Sequence, residues 1–66
     1  MKINVRGDEV EAKYLGDGTY IGYRGYDFVI FSFNGLQATN VVYLDPSSIE
    51  DLNHFVRQCT NSGLLL

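Results

Sequence analysis

Apolar and polar positions alternate from the first residue: Met1, Ile3 and Val5 stand against Lys2, Asn4 and Arg6, the period of a strand with one wet face. Gly7-Asp8 offers a two-residue turn, the glycine supplying the positive φ that a type II′ hairpin needs at its first central position. Val10, Ala12 and Tyr14 then resume the inward face against Glu9, Glu11 and Lys13. After Leu15, Gly16-Asp17-Gly18 breaks the alternation, Tyr20-Ile21-Gly22-Tyr23 restores a short strand, and Arg24-Gly25 turns the chain again. The stretch from Tyr26 to Phe33 is different in kind. Phe28 and Ile30 fill its even positions and Val29, Phe31 and Phe33 its odd ones, so it reads as a central strand with both faces covered. Asn34-Gly35 predicts a type I′ hairpin, so the strand from Gln37 to Leu44 should run antiparallel to it. That strand carries Val41 and Tyr43 on one face and Val42 and Leu44 on the other.

The period changes at Asp45-Pro46. Aspartate is a good N-cap, and proline at the first helical position loses only a donor that would have no partner there. Ser47 with Glu50 offers a capping box two residues later, so the boundary is open by about two residues. Ile49, Leu52, Phe55, Val56 and Cys59 share one stripe of a helix, while Glu50, Asp51, Asn53, Arg57 and Gln58 face away. Asn61-Ser62-Gly63 should end it, leaving Leu64, Leu65 and Leu66 to dock on the core or reach a neighbouring subunit. The expected fold is α+β, a single domain over residues 1–66: an antiparallel meander sheet of four to five strands with one C-terminal amphipathic helix packed across it.

One helix can cover only one face of a sheet whose central strands are apolar on both. Leaving about 500 Å² of such surface wet forgoes about 12 kcal/mol, comparable to the stability of a small domain. Two outcomes are open: sheets of identical subunits meet, or a strongly twisted sheet curls and seals the second face internally. The first makes Phe31, Phe33, Tyr43, Leu64, Leu65 and Leu66 the expected oligomer interface.

Composition sharpens the expectation. Sixty-six residues stand near the lower size for a core that holds on its own, and one cysteine with one histidine supplies neither an internal disulfide nor a closed zinc site. Oligomerisation is the remaining support, and no cofactor or metal is expected. Eight acids against five bases, net charge -3, argue against direct DNA or RNA binding and against an anionic membrane. No run of apolar residues after Met1 reads as a signal peptide or a membrane span, so a cytoplasmic setting is expected.

Candidate chemistry is thin. His54 has no nucleophile among its helical neighbours, Cys59 lies on the inward stripe far from the helix start, and Gly16-Asp17-Gly18 lacks the lysine of a phosphate loop. No enzyme is therefore expected. The better candidate is a ligand-binding set around the second turn. Tyr20, Tyr23 and Tyr26 supply stacking surfaces and Arg24 a guanidinium, with Thr39 and Asn40 on the partner strand as hydrogen-bonding groups. A symmetric pair would double the arginine, which suits a small dianion.

Tyr14-Leu15-Gly16-Asp17-Gly18-Thr19-Tyr20, Gly25-Tyr26 and Thr39-Asn40-Val41-Val42-Tyr43-Leu44-Asp45-Pro46 together resemble a group of short phage and prophage proteins with a Y-L-G-D-G-x-Y, then G-Y, then T-N-x-x-x-L-D-P pattern and a closing helix. The likeness spans positions 14 to 56; Arg24 stands where an acid is usual and Ile30 where an aromatic is. The resemblance implies a setting in the host cell cytoplasm and no particular functional residue. Short, acidic phage proteins of this kind often act by stoichiometric binding against host defence, by occupying a defence protein or by sequestering a cyclic nucleotide-type signal. A non-enzymatic anti-defence inhibitor is thus the expected function, with a homo-oligomeric regulatory or structural phage protein as the alternative.

Overall fold

Alternation places Ile3 and Val5 of β1 (Lys2–Val5) and Val10 and Ala12 of β2 (Asp8–Gly16) on one face, where all four are buried. The same face continues through Tyr20 and Gly22 of β3 (Thr19–Tyr23), Val29 and Phe31 of β4 (Phe28–Phe33), and Ala38 and Val41 of β5 (Ala38–Leu44). The computed structural model describes residues 1–61 and shows these strands as one antiparallel sheet in chain order, followed by α1 (Pro46–Asn61). The α+β class and the meander are as the alternation predicts.

The sheet does not lie flat. Two bulges bend it, one between Tyr14 and Gly16 against β3, and one opposite the Ile30 to Ser32 step of β4, where Asn40 takes a φ of 49°. A bulge adds local twist, and two of them bring β1 round to approach β5, so the concave side forms a half-barrel around Phe31, Val5, Val10 and Val29. The curl answers the question left open by the sequence: one face is sealed by the chain's own strands. Phe31, expected at an interface, is 1% exposed and belongs to this core, and Phe33 packs against it.

The C-terminal amphipathic helix is the expected one, and what differs is how little of its stripe the sheet covers. It starts where predicted, with the Ser48 amide donating to Asp45 Oδ1 at 2.8 Å and the Ile49 amide to the Asp45 carbonyl at 3.0 Å. It packs on the sheet at β5, and of its apolar stripe Cys59 is buried and Ile49 half-buried. Its contacts are chiefly with β5, and Leu52, Phe55 and Val56 of its apolar stripe are 41%, 64% and 46% exposed. The molecule measures 39 × 25 × 18 Å, and its radius of gyration of 13.2 Å exceeds the ~11 Å typical of a compact chain this long. The expected helix end at Gly63 and the interface residues Leu64, Leu65 and Leu66 lie outside the described residues.

The turns also differ in detail. The first is centred on Arg6 and Gly7, both at positive φ, one residue before the expected pair, with Val5 opposite Asp8. The third spans Arg24 to Asp27, so Tyr26 belongs to the turn and β4 begins at Phe28. At the fourth, Asn34 is not at positive φ; its Oδ1 instead accepts from the Leu36 and Gln37 amides at 2.8 and 2.9 Å, making a four-residue loop.

Candidate functional site

The expected ligand set does not converge. Tyr20 points into the barrel, stacked on Phe31 with ring centroids 5.6 Å apart and edge-on to Phe33 at 5.9 Å. Tyr23 lies on the opposite, convex face against Phe28, at 4.9 Å, and its hydroxyl donates to the Gly25 carbonyl. Thr39 is paired with Ser32 on β4, and Asn40 is the exposed residue at the bulge. Only Arg24 and Tyr26 meet: the guanidinium carbon stands 5.0 Å from the Tyr26 ring centroid and 4.5 Å from that of Tyr43.

That arginine is already engaged. Its Nε donates to Asp27 Oδ1 at 2.6 Å and a terminal nitrogen to Asp27 Oδ2 at 2.7 Å, a bidentate pair, while the other terminal nitrogen donates to Asp8 Oδ2 at 3.0 Å. The hydrogen bond from Arg24 holds the Asp27 carboxyl below its ordinary range, and Asp27 raises Arg24 in turn. One cation between two carboxylates leaves the cluster net negative, so an approaching dianion is repelled. This corrects the assignment of Arg24 to anion binding. The cluster instead ties the start of β2 to the turn before β4, clamping one end of the curl.

The other end offers a concave feature. Where β1 and β5 approach without pairing, a groove of about 580 Å³ opens along the seam. Its apolar lining is Ile3, Tyr20, Phe33 and Ala38 with Met1 and Leu36, and Gln37 and Arg6 add an amide and a positive charge; Lys2 and Asn4 border it from β1, but their side chains alternate away from Ile3, and Asn4 Oδ1 accepts from the Gly7 amide at 3.1 Å. No carboxylate lines it, in a chain with eight acids and five bases. Lys2 Nζ lies 3.5 Å from Glu11, which is held more tightly by the N-terminal ammonium at 2.7 Å; Arg6 makes no ion pair among the described residues. Leu36, 91% exposed, overhangs the mouth on the Asn34–Gln37 loop.

Of the expected ligand residues, only Tyr20 lines this groove. Arg6 and Gln37 were missed because period-2 alternation assigns them to a wet face or a turn and says nothing of which edge strands will face each other. The available signal was the strand count: five short strands fall short of closing a barrel, which leaves a seam between first and last.

No group of three or more His, Cys, Asp or Glu side chains suited to a metal occurs among the described residues. No described helix is long and apolar enough to cross a membrane. No protein-family model matches the chain, and neither a curated protein nor a solved structure is detectably similar to it.

Proposed function

We infer that this chain works by stoichiometric binding rather than by catalysis, and that the seam groove takes an amphiphilic anion of nucleotide type. The observation that carries the reading is the groove's lining: an aromatic and aliphatic floor with the Gln37 amide and the Arg6 guanidinium and no carboxylate, in an otherwise acidic molecule. A base or other flat apolar moiety fits against Tyr20 and Phe33, and an anionic group fits beside Arg6. The volume falls within the range of small-molecule sites. In the phage setting suggested by the sequence resemblance, the ligand is a cyclic nucleotide-type immune signal and the protein an oligomeric sponge that withholds it in the host cytoplasm.

A second reading has its own support. The uncovered stripe of α1 suits a protein partner, either another copy or a host defence protein.

A thermal-shift screen with cyclic di- and trinucleotides and ADP-ribose derivatives separates the two. Ligand at 100 times its dissociation constant stabilises the fold by about 2.7 kcal/mol. The expected result is an upward shift with at least one of these compounds, sharply reduced in the Arg6→Gln variant, with the compound recovered intact after denaturation. No shift with any of them contradicts the groove assignment, and recovery of a cleaved compound contradicts stoichiometric binding.

A further inference from the structure

Two apolar surfaces on this chain lack a cover. One is the helix stripe of Leu52, Phe55 and Val56. The other follows from register on the convex face, where Ile21, Ile30 and Val42 form one cross-strand row and Tyr23, Phe28 and Leu44 the next. Val42 is 54% exposed there, and none of the six is buried. Beside this patch, between β2 and β3, is a hollow of about 290 Å³ walled by Ile21, Tyr23 and Phe28 and rimmed by Glu11 and Lys13.

We propose that α1 of one copy lies across the convex face of a second copy, with Phe55 seated in that hollow, in a reciprocal two-fold pair. The inference deepens the self-association proposed above and does not depend on the groove.

Three features favour a second copy over a foreign partner. The hollow has room for one aromatic side chain and its walls are apolar, and Phe55 is the most exposed large apolar side chain of the helix. Charge agrees: Lys13 at the rim makes no ion pair among the described residues, and Asp51, one turn before Phe55 on the flank of the stripe, makes none either. Area agrees as well. A 16-residue helix about 24 Å long and about 10 Å wide covers about 240 Å² of sheet, so one docked helix removes about 500 Å² from water and a reciprocal pair about 1,000 Å². Only the reciprocal arrangement reaches the size of a specific interface. It also leaves no surplus surface to propagate, because each copy's stripe and patch are both used.

Sedimentation equilibrium of the full chain between about 1 and 100 µM reads the claim. The expected mass is twice 7.4 kDa, falling to 7.4 kDa in Phe55→Glu with the protection of the β2 to β4 amides unchanged, since Phe55 is outside the core of its own chain. Lys13→Glu and Asp51→Lys should each weaken the pair several-fold, and the two combined should recover it. A single-chain mass at 100 µM overturns both the docking and self-association. A Phe55→Glu variant that stays dimeric overturns the docking alone and shows that the copies meet elsewhere; a dimer indifferent to both charge reversals removes the assigned orientation.

Discussion

Side chains decide more here by their size and partners than by reactivity. Gly22 stands between Ala12 and Val29 on the concave face, and a Cβ placed on it would lie 2.6 Å from Val10 Cγ2 and 3.2 Å from Val10 Cβ and Val29 Cγ1. Its backbone would accept alanine; the space would not. Gly22→Ala is therefore expected to lower stability by about 1–3 kcal/mol, read as a lower urea midpoint at unchanged slope. An unchanged midpoint would mean that the core around Val10 gives way freely. In the sequence this glycine is only a weak point in a short strand. That it is a packing contact depends on two neighbouring strands, which no local pattern reports. Arg24 shows the same limit. Its charge and its aromatic neighbours were legible, but Asp8, 16 residues away, reaches it only through the fold.

At the scale of elements, the five strands and the helix were legible because each carries its own period and ends in turn chemistry. What shifted was turn geometry. Asn34 was assigned a backbone role and has a side-chain one, and Arg6 rather than Asp8 shares the first turn with Gly7. Asn34→Ala removes both hydrogen bonds of the fourth loop and is expected to cost about 0.5–2 kcal/mol by chemical denaturation. If the loop were held by the Asn34 amide's bond to the Gln37 carbonyl at 3.3 Å, the substitution would be silent. The helix is the element whose sequence misleads. An amphipathic stripe demands a cover but does not name it, and the nearest sheet is the natural guess. In the structure that sheet has folded on itself, and among the described residues α1 is held by its Asp45 cap, a contact with β5 and the buried Cys59. A 16-residue helix with so little packing is marginal in water.

The whole molecule is thus a curled half-barrel with two surfaces in reserve: a seam groove with Arg6 and Gln37 at its border, which we propose takes a small amphiphilic anion, and a helix and convex face proposed to meet across two copies. The two are independent. The groove lies between β1 and the loop before β5, whereas the hollow lies between β2 and β3 on the other face. A dimer built as proposed therefore keeps both grooves open. The need for cover beyond one chain was legible from the doubly apolar strands. Which surface would need it was not, because curling moved the debt from the sheet's concave side to the helix.

Hydrogen exchange of the full chain, followed residue by residue across a dilution series, tests the central claim that α1 finds its cover outside its own chain. Amides from Leu52 to Asn61 should gain protection as protein concentration rises through the micromolar range, while those of β2 to β4 keep theirs throughout. Helix protection that is high and independent of concentration would mean that the sheet of the same chain already supports α1, and would contradict the account.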